Sequence, residues 1–316
     1  MTILRLNSFL RKKCPECYEV LPVTELDGKK VAIDISCILY SHKIRAWDHV
    51  AKQCDLNTEE PTKKDVQDKM VSTILGFAKM WQAYNVTPVF VFDGIPPIEK
   101  SVTLQKRRTR REDIDKRVTE EKLRLQATPG NTEALLRLTK GTIRPDKDDT
   151  ERLKAVFTQV GIPYLCARGE SERLCSMLCL EGAVSAVYST DYDNLVYGCP
   201  LLLTGEAENL SAEGVRQFCA LRAPRILAKL EMGLDAFRDM CILSGCDYNT
   251  NIPYLGVSCA YKLIKEYKTF RDIPRKDNSL DSKLLPKRVT QRDPSCIRYE
   301  VCLELLSPVP SGSLIL

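Results

Sequence analysis

Histidine is almost missing from this chain: only His42 and His49 occur among 316 residues. That leaves His-ligated metals and Ser-His hydrolase chemistry with little to work on. Apolar runs stop at strand length, so no membrane span is expected. There is no internal repeat and no low-complexity tract. The opening residues, Met1 to Arg11, show no signal-peptide pattern, because Arg5, Asn7 and Ser8 interrupt their apolar residues. Cysteine is the opposite case, with fourteen. Without a secretion signal they imply a reducing compartment and buried free thiols. Cys14-Pro15-Glu16-Cys17 is a lone C-x-x-C with no second pair at zinc spacing, and Cys175 and Cys179 suit a helix core. The remaining composition, 44% hydrophobic and 28% charged with a net charge of +5, describes an ordinary globular chain. It is long enough for one large domain or two smaller ones.

Along the chain, residues 1–28 hold a short helical pattern and a turn. The run at 30–36 reads as a strand and 62–84 as an amphipathic helix, with Met70, Ile74, Phe77, Ala78 and Trp81 at helical spacing. A second strand follows at 86–92. Strand, long helix, strand implies a parallel βαβ unit. Composition then shifts. Between Lys100 and Arg124 there are ten Lys or Arg against five acids, and residues 94–150 contain no strand-like run. We expect a helical insertion there, broken at Thr128-Pro129-Gly130. Alternation resumes with helices at 148–160 and 171–181 and strands at 162–166, 183–188 and 200–203. From 224 the pattern is helical: 224–231, 235–244 and 257–267. Four regions result: 1–93, the insertion 94–150, 151–268, and an extension 269–316 with little periodicity outside Ile297 to Leu306.

Carboxylates gather at the ends of these elements. Asp34 ends one strand and Asp93 the next; Glu170 and Glu172 follow a third, and Asp191 and Asp193 follow a fourth. Asp247 closes Leu243-Ser244-Gly245-Cys246. Ligands bind at the carboxyl ends of strands in open α/β sheets. Seven converging carboxylates would raise one another's pKa values, a cost that divalent cations remove. All-oxygen donors suit Mg²⁺ or Mn²⁺, and two such ions can clamp a phosphate. The bland alternative is a scatter of helix caps and solvated turns.

The blocks Val31-Ala32-Ile33-Asp34-Ile35-Ser36, Val89-Phe90-Val91-Phe92-Asp93-Gly94-Ile95-Pro96-Pro97, Gly161-Ile162-Pro163-Tyr164, Glu170-x-Glu172, Thr190-Asp191-Tyr192-Asp193 and Leu243-Ser244-Gly245-Cys246-Asp247-Tyr248 carry a resemblance. In that order, over roughly residues 1–268, the chain resembles the structure-specific 5′ nucleases, flap endonuclease and its XPG relatives. The resemblance implies an α/β fold: a twisted, mostly parallel sheet between helices (the PIN-like nuclease fold). It adds a helical arch and a helix–three-turn–helix that grips duplex DNA. It makes Asp34, Asp93, Glu170, Glu172, Asp191, Asp193 and Asp247 the metal-site carboxylates for two Mg²⁺ ions, with Mn²⁺ as a substitute. Lys100 and Arg107, seven apart and so expected on one helix face, match the arch-base pair that acts on the scissile phosphate. Lys106, Arg108, Arg110 and Arg111 would line the path of the strand. Tyr40 matches the aromatic that stacks on a nucleobase, and Gly256 the glycine retained in the duplex-binding turn.

The chain also departs from the family pattern. Thr2 and Arg5 stand where the family begins Met-Gly-Ile-x-Gly. Tyr254-Leu255-Gly256-Val257-Ser258-Cys259 replaces a Gly-Ile-Gly turn followed by basic residues, and Arg168-Gly169 replaces a small-Ser pair. No sliding-clamp motif occurs. The expected function is a Mg²⁺-dependent DNA endonuclease or 5′ exonuclease of replication or repair, acting as a monomer at single-strand/double-strand junctions. The expected compartment is the nucleus, or a host nucleus for a viral chain. A catalytically silent junction-binding protein and a metal-dependent phosphatase with Asp34 as nucleophile stand as alternatives. The first needs lost carboxylates; the second wants Asp-x-Asp where Asp34-Ile35-Ser36 occurs.

Overall fold

The computed structural model describes residues 3, 5–54, 61–127, 133–211, 214–249, 251–276, 279–280, 283–284 and 297–316. Its sheet has seven strands: β1 (Tyr18–Pro22), β2 (Lys30–Asp34), β3 (Thr87–Phe92), β4 (Tyr164–Cys166), β5 (Ala186–Tyr188), β6 (Leu201–Glu206) and β7 (Gln217–Arg222). Their order is β1-β7-β6-β5-β2-β3-β4. Val31, Ala32 and Ile33 of β2 are fully buried, as a central strand covered on both faces requires. β2 pairs in parallel with β3 and β5, and β5 with β6. The carboxyl ends of β2, β3 and β5 therefore share one edge.

Two strands escape the sequence pattern. β7 runs antiparallel to both β6 and β1, so the sheet is mixed on that side. β1 carries Glu19 and ends on Pro22, residues that suit only an edge strand. The stretch 1–28 is thus a helix, α1 (Leu6–Lys13), followed by a strand. The expected strand 30–36 stops at Asp34, and α2 (Ile35–Ala51) begins on the next residue.

Two compact units arise from discontinuous segments: 1–34, 84–100 and 165–316 in the first, 35–83 and 101–164 in the second. The first holds the strands (β4 from Leu165 on) and α7 (Ser171–Leu180), α8 (Asn194–Tyr197), α9 (Ala223–Leu230), α10 (Leu234–Ser244) and α11 (Val257–Tyr267). The last helix of that unit, α12 (Tyr299–Leu306), is tied down by Asp239, which accepts from Phe270 N at 2.7 Å and Tyr299 Oη at 2.7 Å. Beyond α12, Ile315 bridges antiparallel to Ala167, so the final residues extend the β4 edge. Arg168 serves this join: its Nε donates to Ile315 O at 2.9 Å. That contact accounts for an arginine where a small residue was expected.

The second unit contains α2 with α3 (Lys63–Ala83), α4 (Ser101–Ala127), α5 (Glu133–Lys140) and α6 (Lys147–Val160). Met70, Ile74, Ala78 and Trp81 are fully buried on α3, so its apolar stripe is core. Asp146 and Asp149 form a reciprocal capping box at the start of α6, and Gly161, at φ 71°, ends it. Asp149 is wholly buried and is offset by Lys43 and by Gln67 Nε2, which donates at 2.9 Å. The expected break at Thr128-Pro129-Gly130, like Thr2, lies outside the described residues. Among the described residues every cysteine is a free thiol, and no helix is long and apolar enough to cross a membrane.

Candidate metal centre and nucleic-acid interface

The seven carboxylates all belong to the first unit, together with Lys100. Asp34 ends β2 with 2% exposure, yet both its oxygens are satisfied. Ser171 Oγ donates to Oδ1 at 2.9 Å and Ser189 Oγ to Oδ2 at 2.8 Å. Ser171 also donates its backbone N–H to Asp93 Oδ1 at 2.8 Å. It is the first residue of α7, whose N-cap, Glu170, makes no side-chain cap. Asp93 from β3 thus caps a helix that its own sequence leaves uncapped, where the helix dipole favours an anion.

Ser189 continues the chain of bonds by accepting from Asp191 N at 3.1 Å. Asp191 Oδ1 accepts from Asp193 N at 3.0 Å, and Asp193 Oδ1 accepts from Ile3 N at 3.0 Å. Asp93, Asp34, Asp191 and Asp193 are therefore linked through two serines and the turn backbone. A second network starts at Glu170, which pairs with Lys100 and accepts from Tyr248 Oη. Lys100 Nζ also lies 3.6 Å from Asp247, and the Tyr248 hydroxyl lies 3.1 Å from that of Tyr197. Adjacent residues Glu170 and Ser171 join the two networks.

Burial dominates the electrostatics. Desolvation, reinforced by the charge on Asp93, pushes the Asp34 carboxyl up to about 6 despite its serine donors. Desolvation with Asp34 and Glu170 nearby takes Glu172 up to about 8. Asp191 and Asp193 are raised mainly by desolvation. For Glu170 desolvation is overcome, and the Lys100 ammonium helps hold the carboxyl low. Carboxylates raised in this way gain from any cation placed among them. The donors are carboxylate and hydroxyl oxygens, which suits a hard divalent ion. Among the described residues no three His, Cys, Asp or Glu side chains already stand in ligating geometry.

The turn after Asp93 fixes the spacing of β3 and the Glu170 loop. Gly94 N donates to Gly169 O at 2.7 Å, and Ile95 N to Arg168 O at 3.0 Å. A Cβ on Gly94 would stand 2.1 Å from Ala167 O and 2.5 Å from Arg168 O. Gly94→Ala must therefore separate Asp93 from Glu170, with an expected loss of roughly 3 kcal/mol of stability. A urea midpoint equal to that of the unsubstituted chain would show that the backbone approach is not needed.

Asp247 sits in the turn between α10 and α11. Gly245, at φ 101°, turns the chain, and a Cβ there would meet the Asn251 side chain at 1.8 Å. Asn249 closes α10 by accepting from Cys246 N at 3.0 Å and donating to Ile242 O at 2.9 Å. Gly256 is the N-cap of α11, with open space where a Cβ would stand. Tyr254 is 59% exposed and adopts φ 70°, the left-handed region that suits glycine. Tyr254→Gly should then stabilise the chain by about 1 kcal/mol, a rise of roughly 2 °C in Tm. A fall in Tm would show that the Tyr254 ring contributes more than its backbone costs.

The second unit carries the remaining candidates. Tyr40 is 47% exposed on α2. Lys106, Arg108, Arg110 and Arg111 are exposed on α4, Arg107 is half-buried, and Arg108 Nε donates to Glu112 at 3.0 Å. Lys100 does not share their helix: it closes a 3₁₀ turn, Ile98–Lys100, just before α4. Sequence reasoning also missed Ser171, Ser189 and Tyr248, which hold the carboxylates. Their one signal was a place within two residues of Glu170, Asp191 and Asp247.

Two family models match the chain: the XPG N-terminal domain over residues 1–114 and the XPG I-region over 161–247. Flap endonuclease 1 of Candida dubliniensis is 33% identical over 277 residues, covering 86% of this chain and 70% of the relative. Flap endonuclease 1 of Theileria parva is 30% identical over 86% of this chain and 52% of its own length. Among solved structures, the catalytic core of Rad2 in complex with DNA substrate matches with a TM-score of 0.55 and 20% identity. That match covers 84% of this chain and 69% of the Rad2 core chain. Human GEN1 in complex with Holliday junction DNA gives 0.51 at 21% identity, over 83% and 55%. These structures share the mixed-sheet nuclease fold.

Proposed function

This chain belongs to the XPG and flap endonuclease family of structure-specific DNA nucleases, and on that footing we propose that it hydrolyses DNA phosphodiesters at single-strand/double-strand junctions. It is a hydrolase of a divalent-metal-dependent family. The observation that supports the assignment is the bonded series of Asp93, Ser171, Asp34, Ser189, Asp191 and Asp193 at the shared strand edge. Together with Glu170, Glu172 and Asp247 these carboxylates would hold two Mg²⁺ ions, or Mn²⁺, supplying Lewis-acid charge for water attack and for the leaving oxygen.

The chain's own groups do the rest. Ser171 and Ser189 fix the Asp34 carboxylate in one orientation, and Tyr248 fixes Glu170. Lys100 and Arg107 neutralise charge on the scissile phosphate, and Lys106, Arg108, Arg110 and Arg111 supply backbone contacts without sequence preference. Tyr40 stacks on a base, and Gly256 lets backbone N–H groups approach a duplex phosphate. The products carry a 3′-hydroxyl and a 5′-phosphate. A nuclear role in replication or repair, performed as a monomer, fits this chemistry.

Labelled flap, nicked and blunt duplexes incubated with Mg²⁺ or EDTA test the assignment. Cutting near the junction with Mg²⁺ and none in EDTA is expected. Tight junction binding with no cutting under either condition would favour the silent junction-binding alternative. The altered duplex turn has its own signature. Tyr254→Gly with Ser258→Lys should steepen the salt dependence of duplex binding by roughly 0.9 in log–log slope per added phosphate contact. An unchanged or shallower slope would mean that the Tyr254 ring already makes that contact.

A further inference from the structure

A cleft of about 360 Å³ separates the amino-terminal segment from the loop after β5. Asp191 and Asp193 line it from the loop, and Ile3, Arg5 and Asn7 from the amino-terminal side. The Ile3 N–H bond to Asp193 at 3.0 Å pins the two sides together. Arg5 is the N-cap of α1 but makes no side-chain cap, and its φ of 62° is left-handed. That conformation is strained for arginine and free of side-chain strain for glycine. Its side chain is exposed at the cleft. Asn7 is oriented by two bonds: its Oδ1 accepts from Arg11 Nε at 3.1 Å and from Tyr18 Oη at 3.0 Å. The amide NH₂ is then left to donate.

The cleft has carboxylates on one side and N–H donors on the other. A simple cation would meet Arg5, and a simple anion would meet Asp191 and Asp193. A phosphate satisfies both when divalent cations lie against the carboxylates, because it presents several oxygens in different directions. Resting on the nuclease reading above, we infer that this cleft is a phosphate subsite in which Arg5 and Asn7 hold a phosphate of the substrate strand. Arg5 stands where the family pattern has glycine, so the contact is an addition of this chain. The phosphate is either a terminal 5′-monoester or an internal diester beside the scissile bond.

Fluorescence anisotropy with 5′-phosphorylated and 5′-hydroxyl single strands, in Ca²⁺ to limit cutting, separates the two sources. For a terminal phosphate, the phosphorylated strand binds about tenfold tighter, and Arg5→Ala abolishes the difference. For an internal diester, Arg5→Ala weakens both strands about tenfold. One methylphosphonate position then weakens the unsubstituted chain but leaves the variant unaffected. Equal binding of all strands by Arg5→Ala and the unsubstituted chain overturns the inference. Arg5→Gly separates binding from folding: it should bind like Arg5→Ala while its Tm rises, because the left-handed strain is gone. A fall in both Tm and binding would make Arg5 structural and overturn the subsite. Failure to cut in Mg²⁺ would overturn the nuclease reading, whereas these binding measurements report on the cleft without cleavage.

Discussion

Asp191→Asn is expected to reduce single-turnover cleavage of a flap substrate by at least three decades while leaving its dissociation constant within about threefold. Asp93→Asn should do the same. Metal-borne charge stabilisation is worth several kcal/mol at the transition state, and each 1.36 kcal/mol is one decade. An amide keeps the shape of the carboxylate but removes its charge. In Asp191→Asn the Asp193 N–H still finds an oxygen acceptor, so the turn survives. In Asp93→Asn the bond from Ser171 N survives in the same way. On the proposed reading affinity comes mainly from phosphate contacts made by Arg5, by α4 and by the duplex turn, none of which the amide removes, so it should persist. The measurement is a pair: quenched-flow cleavage at saturating Mg²⁺, and anisotropy on the same substrate. Cleavage within tenfold of the unsubstituted chain would remove these residues from the metal site. Loss of binding in parallel with cleavage would give them a structural part instead.

Much of this site was legible because strands buried on both faces leave a strong trace. Val31-Ala32-Ile33 and Val89-Phe90-Val91-Phe92 are apolar runs rich in β-branched and aromatic residues, and each is followed directly by a carboxylate. Periodicity also placed α3, α6 and α7 within one or two residues. β1 and β7 were hidden for a physical reason. β1 is an edge strand with only Leu21 fully buried, so its sequence answers to solvent as much as to the core. In β7, Phe218, Ala220 and Leu221 are buried while Gln217, Cys219 and Arg222 are only partly so, a pattern that is neither a clean alternation nor a continuous apolar run.

The serines posed a different problem. A serine at a helix start or just past a strand reads as a local cap or turn, yet Ser171 and Ser189 spend their hydroxyls on Asp34, more than a hundred residues away. Long-range bonds of that kind have no sequence spacing. The partner of Lys100 was hidden in the same way. Its seven-residue spacing from Arg107 suggested a shared helix face, but the residue belongs to the turn before the helix and points its ammonium at Glu170 and Asp247.

That placement gives Lys100→Met the second large expected effect. Lys100 is 8% exposed; desolvation opposes its charge, and Glu170 and Glu172 overcome that cost and hold the ammonium protonated. Glu170 and Asp247 are each 8% exposed as well, so their charges depend on nearby cations more than on water. Methionine fills a similar volume and brings no charge. Removing one partner of a buried pair costs about 3–5 kcal/mol, because the other charge is left uncompensated. In the absence of divalent ions, Lys100→Met should therefore lower the stability of the first unit by roughly 3 kcal/mol. Saturating Mg²⁺ should restore a large part of that loss, since a bound cation stabilises the folded state in proportion to ln(1 + [L]/Kd). Cleavage should remain two to three decades down even then if, as proposed above, Lys100 also neutralises charge on the scissile phosphate. Urea melts with EDTA and with Mg²⁺, run beside single-turnover cleavage, separate these parts. A variant as stable as the unsubstituted chain in EDTA would mean that the ammonium does not balance Glu170 and Asp247. A variant restored in both stability and cleavage by Mg²⁺ would confine Lys100 to balancing charge, with no part in the reaction.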